Sequence, residues 1–193
     1  MFETDDIFSK QQEITNLLAD YDIDSGLYGI GEAKTISDLV KEIIGGEAEI
    51  VDCDGRLQRR IGAVAIKLLY IDVENCVLKL SEDKQVFRDG RVRVREPLYD
   101  MSIVEKIYPG ENKVVAMARG ILEEIGIDIS NLIVDEPECR SRLRSSKSYP
   151  GIRTNQETFV FPDVIIAEND FNPDGYVEVG ENKTTYFVWK TEE

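Results

Sequence analysis

Histidine is absent from the 193 residues. With it go the Ser-His-Asp and Cys-His nucleophiles, and any catalytic metal is left to carboxylate and carbonyl oxygens. Cysteine is scarce. Cys53, Cys76 and Cys139 are odd in number and far apart, which makes neither a disulfide framework nor a C-x-x-C site. Free thiols in a reducing compartment are the expectation. No run approaches the roughly 18 apolar residues that cross a bilayer. The first six residues, Met1-Phe-Glu-Thr-Asp-Asp6, lack the basic and apolar regions of a signal peptide. A cytoplasmic protein with no membrane partner is expected. Positive charge is also short: 23 basic against 38 acidic side chains leave a net charge of −15. A chain of that sign has no bulk attraction to nucleic acid or anionic lipid.

Of the residues present, 42% are hydrophobic and 32% charged, a globular composition long enough to bury a core without staples. The acidity belongs to the two ends. Residues 1–50 hold 12 acidic and 3 basic side chains, residues 163–193 hold 8 and 2, and the stretch between is balanced. Arginines group within that balanced stretch: Arg56, Arg59 and Arg60, then Arg88, Arg91, Arg93 and Arg95, then Arg140, Arg142 and Arg144 with Lys147. The guanidinium fork matches phosphate oxygens, so these clusters suit a small phosphorylated ligand despite the global sign.

Ile14, Leu17 and Leu18 recur at helical spacing within residues 9–20. Thr35-Ile-Ser-Asp38 reads as an N-cap opening a short helix that Gly45-Gly46 stops. The period then changes. Residues 48–51, 60–72, 75–80 and 84–87 read as strands, and Asp89-Gly90 as a hairpin turn. Beyond it Arg91, Arg93 and Arg95 alternate with Val92 and Val94, which on a strand puts three guanidiniums on one face. Residues 112–125 read as one amphipathic helix capped by Gly126, and 158–161, 164–167 and 184–189 as further strands. The order argues for an α+β layered domain, 48–193, preceded by a helical N-terminal extension, 1–47. That acidic first region would cover one edge of the core or form a contact in a homodimer.

The segment from Tyr108 to Ile127 carries the chemistry. Glu123 and Glu124 sit one turn beyond Arg119 and Gly120, with Glu111 at the helix start. Carboxylates so placed suit a hard divalent cation, magnesium above all. They equally suit a solvated helix end, and these residues alone leave both readings open. The segment resembles the Nudix family, whose pattern is G-x5-E-x7-R-E-U-x-E-E-x-G-U with U aliphatic. Glu111, Arg119, Ile121, Glu123, Glu124, Gly126 and Ile127 match in register, seven of nine fixed positions. The likeness in strand order extends over roughly residues 58–190, and Ser148-Tyr-Pro-Gly-Ile152 is similar to a stretch in one plant and microbial branch of Nudix-like proteins.

The resemblance implies a Nudix-like α/β/α sandwich with a mixed central sheet. It implies Mg2+ or Mn2+ as cofactor, and hydrolysis of a pyrophosphate bond in a nucleoside diphosphate linked to a further group. Glu124, Glu123 and Arg119 would be the catalytic residues, and Arg91, Arg93 and Arg95 would hold the nucleotide-derived substrate. Two positions depart from the pattern: Gly120 replaces its first helix glutamate, and Glu105 replaces its leading glycine. A glutamate at 105 can reach into the space vacated at 120. The metal set would then be Glu105, Glu123 and Glu124, with Glu111 as a ligand or as support behind one. The alternatives are Glu105 pointing to solvent and paired with Lys106 or another surface cation, and a Nudix-like domain that binds a nucleotide or a protein without catalysis.

Overall fold

A computed structural model describes residues 4–94, 101–129 and 134–192. The protein is α+β, with three helices and a mixed, open sheet. The helices are α1 (Thr4–Asp20), α2 (Ile36–Ile44) and α3 (Lys113–Ile125). The strands are β1 (Glu49–Asp52), β2 (Leu57–Ile71), β3 (Val77–Phe87), β4 (Val92–Arg93), β5 (Ile103–Lys106), β6 (Glu138–Ser145), β7 (Arg153–Ile165), β8 (Tyr176–Val179) and β9 (Lys183–Thr191). Hydrogen-bonded neighbours run β6-β7-β2-β3-β9-β8, with β1 and β5 also on β2 and β4 on β3. Among the described residues no helix is long and apolar enough to cross a membrane. The chain falls into two compact units, residues 1–62, 106–110 and 140–157 in one and 63–105, 111–139 and 158–193 in the other.

In the first unit α1 and α2 meet over Ile14, Leu18, Leu39 and Val40, and the core is completed by Leu57, Tyr149 and Ile152. A capping box is formed: Thr35 accepts from the Asp38 amide, and Asp38 accepts from the Thr35 amide. The Tyr149-Pro-Gly-Ile152 stretch is anchored here, with Tyr149 fully buried under the Arg59 guanidinium and the Lys34 amide donating to the Ser148 carbonyl at 2.8 Å.

The second unit holds β3 and β9 whole and the later parts of β2 and β7. Val64, Ile66, Leu68, Leu80, Phe161 and Phe187 are its buried face, and α3 packs Ala116, Met117 and Ile121 inward. Burying a side chain of this size contributes about 1.5–3 kcal/mol. Segments 75–80 and 84–87, expected as separate strands, are one strand. Glu82 pairs with Phe187 and Lys84 with Tyr186, so Asp83 is an extra residue, a β-bulge.

Candidate functional site

Helix α3 begins where the Asn112 side chain accepts from the Val114 amide, and it ends at Gly126 in the left-handed conformation, φ 76°. Its buried stripe fixes its rotation and leaves Arg119 and Glu123 one turn apart on the same side. Arg119 organises what surrounds it. Its Nε and Nη2 donate to the two Glu111 oxygens at 2.9 and 3.1 Å, and its Nη1 donates to Glu123 at 3.0 Å. Glu105 Oε1 lies 3.6 Å from the same Nη1. The hydrogen bonds Arg119 donates to Glu111, reinforced by the charge of Glu111, Glu123 and Glu105, hold the Arg119 proton more firmly than usual. Three of the four expected metal residues thus surround one guanidinium.

Gly120 is buried on the inner side of α3. A Cβ added there would lie 2.9 Å from Glu105 Cβ and 3.2 Å from its Cγ. The stem of Glu105, rising from β5, fills the space that a side chain at 120 would occupy. This is the arrangement expected from the paired departures at 105 and 120. Lys106 pairs with Glu47, and Glu105 with Arg119.

Glu124 has other neighbours. Burial pushes its carboxyl up to about 7, Glu178, Glu105 and Glu82 add to the rise, and Lys183 opposes it. Glu82 and Glu178 were not singled out in the sequence. Strand register explains their position. Glu178 pairs with Thr185, Thr185 with Gln85, and Gln85 with Arg93, so one row crosses β8, β9, β3 and β4 on a single sheet face. Thr185 donates to Glu178 at 2.7 Å. Residues 82 and 85 would ordinarily face opposite ways, but the extra residue at Asp83 returns Glu82 to the face of Gln85. Glu82 Oε2 accepts from Gln85 Nε2 at 3.0 Å, while Glu82 Oε1 is buried with no hydrogen-bond donor. No sequence signal marks a bulge, so this acidic row was illegible.

Of the three arginines expected on one strand face, Arg93 lies in β4 and Arg91 in the turn before it, paired with Asp89 at 2.7 Å. Both guanidiniums lie over the Phe87 ring, at 5.0 Å for Arg91 and 5.1 Å for Arg93. The expected three-arginine face is therefore seen as this pair, and Arg95 lies outside the described residues. Of the aromatics that could stack on a nucleotide base, Tyr149 and Phe161 are core residues, 0% and 2% exposed. Tyr21 and Tyr28 are tied by their hydroxyls to Asp52 and to the Pro150 carbonyl. A cleft of about 580 Å³ in the first unit is lined by Glu47, Glu49, Arg60, Asn155 and Glu157 among others, and has no aromatic wall. It shares no residue with the acidic site.

Among the described residues no three acidic side chains stand close enough to grip a metal ion. The donor set nevertheless suits a divalent cation in charge and type: hard oxygens, a Glu124 carboxyl destabilised by three other carboxylates, and a buried Glu82 oxygen lacking a donor.

No family model matches the chain, and no curated protein does. Solved structures do. The chain is similar to a C. elegans Ap4A hydrolase at 14% identity, over 68% of this chain and 80% of that one, TM-score 0.33. It is similar to the E. coli dihydroneopterin triphosphate pyrophosphohydrolase at 14% identity, over 67% and 78%, TM-score 0.31. It is similar to a MutT/nudix family protein from Enterococcus faecalis at 15% identity, over 86% of this chain and 54% of that one, TM-score 0.35. These likenesses are loose, so what the site does must come from its side chains.

Proposed function

We propose that the protein is a divergent Nudix-type hydrolase that cleaves a pyrophosphate bond in a small nucleotide-derived substrate with Mg2+ or Mn2+. The observation that carries this reading is the Glu105 stem lying where the Gly120 side chain is missing. A glutamate lost from the helix is matched by one gained opposite it, so the carboxylate count is kept. Glu105, Glu123 and Glu124 would hold the ion, which supplies neutralisation of phosphate charge and a more acidic bound water. Glu111 is fully engaged by Arg119 and acts as the support that aims this guanidinium. Glu124 or Glu123 would take the proton from the attacking water. Arg93, and Arg91 beside it over Phe87, would hold phosphate oxygens.

A second reading has its own support. With Arg119 paired to Glu105, Glu111 and Glu123, the carboxylates are engaged and partly offset in charge by the chain itself, which favours a domain that binds without turnover. Phosphate or pyrophosphate release from a panel of nucleotide substrates separates the two. The hydrolase reading expects release with Mg2+, none with chelator, and a loss of at least a hundredfold in Glu124→Gln. Thermal stabilisation by nucleotides with no release favours the second reading.

A further inference from the structure

Gln85 is a glutamine 2% exposed in the middle of a strand. Its amide is used at both ends. Oε1 accepts from Arg93 Nε at 3.1 Å and from Arg93 Nη2, and Nε2 donates to Glu82 Oε2 at 3.0 Å. Burying an amide costs several kcal/mol unless its partners are supplied, and here they are a cation on one side and an anion on the other. Of side chains this length only glutamine offers an acceptor and donors together. A glutamate would repel Glu82, a lysine would repel Arg93, and a methionine would fill the space and bond to neither.

We propose that Gln85 is a positioning residue that holds the Arg93 guanidinium ready for the phosphate oxygens of the ligand and fixes Glu82 on the face shared with Glu178. Three structural features converge on this. The register sets Gln85 directly opposite Arg93. The bulge at Asp83 puts Glu82 on the same face. The Phe87 ring supports the Arg93 guanidinium from below its plane at 5.1 Å, so two contacts restrain a side chain that otherwise has about 2 kcal/mol of rotamer freedom. The identity of the ligand as a phosphate compound rests on the hydrolase reading; the positioning geometry does not.

The test is the affinity for ADP, measured by calorimetry in chelator at fixed low salt, alongside the melting temperature of each variant. Gln85→Met removes all three hydrogen bonds and is expected to weaken ADP about tenfold or more, the loss typical of hydrogen bonds to a charged group. Gln85→Glu keeps the acceptor for Arg93 but crowds Glu82. It is expected to melt lower than Gln85→Met yet bind ADP within about twofold of wild type. Arg93→Met is expected to weaken ADP by itself, and Gln85→Met to add nothing to it. That cycle decides the matter even where Gln85→Glu fails to fold. Wild-type ADP affinity in Gln85→Met, affinities that simply follow melting temperature, additive losses in the double variant, or no ADP binding by wild type would each overturn the proposal. Hydrolysis with Mg2+ is read in parallel. The expected ADP pattern without turnover would remove the hydrolase reading and leave Gln85 in its role.

Discussion

Gly120 sits in a helix interior, where glycine costs about 1 kcal/mol relative to alanine. Propensity therefore argues for replacing it, and packing argues against. A Cβ at 120 meets Glu105 Cβ at 2.9 Å, and a Cβ cannot swing aside as a side-chain tip can. Gly120→Ala is expected to lower stability by about 1–2 kcal/mol in denaturant unfolding, the overpacking cost exceeding the propensity gain. In a Glu105→Gly background the same substitution is expected to raise stability by about 1 kcal/mol. An unchanged sign in both backgrounds contradicts the contact. Glu124 makes a second prediction. Its folded carboxyl is raised to about 7 from 4.5, so its contribution is fully present below about pH 4.5 and lost as pH rises through 7. Without divalent ions, Glu124→Gln is expected to melt about 2–4 °C above wild type at pH 8 and near it at pH 5. Parallel pH profiles for the two proteins would contradict the burial and crowding assigned to Glu124.

At the scale of elements, the apolar strands and the helices with caps were legible, and the polar strands were not. The α3 boundaries follow from Asn112, the apolar stripe and Gly126, all visible in the sequence. Strand β6 is exposed at all eight positions, so no hydrophobic alternation marks it, and its arginines read only as a charge cluster. Strands β5 and β8 are four residues each, too short for a period to show. Among the described residues β6 ends the sheet order, and Arg140, Arg142 and Arg144 alternate along it, charges of the kind that keep an edge strand from pairing with another. Replacing Arg140, Arg142 and Arg144 together by threonine is expected to cause association at tens of micromolar, seen by sedimentation velocity. A triple variant that stays as dispersed as wild type would show that the charges do not guard the edge.

For the molecule as a whole, the sequence showed which ends are acidic but not which segments share a core. Residues of α1 and α2 bury against Leu57, Tyr149 and Ile152, partners more than a hundred positions away in the case of Tyr149. The Ser148-Tyr-Pro-Gly-Ile152 stretch was legible as a motif, and its role in anchoring the first helices was not. The same unit holds a buried pair. Glu42 accepts from Arg59 Nε at 3.0 Å and from Lys34 at 2.7 Å, with Glu42 6% and Arg59 8% exposed. Burial pushes the Glu42 carboxyl up, and Lys34 and Arg59 more than offset this, holding it below its ordinary value. A depressed carboxyl contributes stability above about pH 4.5 and loses it as pH falls through the folded value. Glu42→Ala is expected to cost about 3–5 kcal/mol at pH 7, because Arg59 is left buried and unpaired. Glu42→Gln is expected to flatten the acid side of the stability profile, and an acid limb as steep as wild type would contradict the pairing.

The glutamates of α3 and the residues at 105 and 120 could be placed near one another from the sequence, because all lie within one helix and the segment that precedes it. Glu82, Gln85 and Glu178 could not, because a bulge and strand register bring them in. The central claim is that Glu105 takes over the work of the carboxylate missing at 120, and Mn2+ calorimetry tests it most directly. Wild type is expected to bind Mn2+, Glu105→Ala to lose at least tenfold in affinity, and the exchange of the two residues, Glu105→Gly with Gly120→Glu, to recover it. Equal Mn2+ affinity in wild type and Glu105→Ala would contradict it.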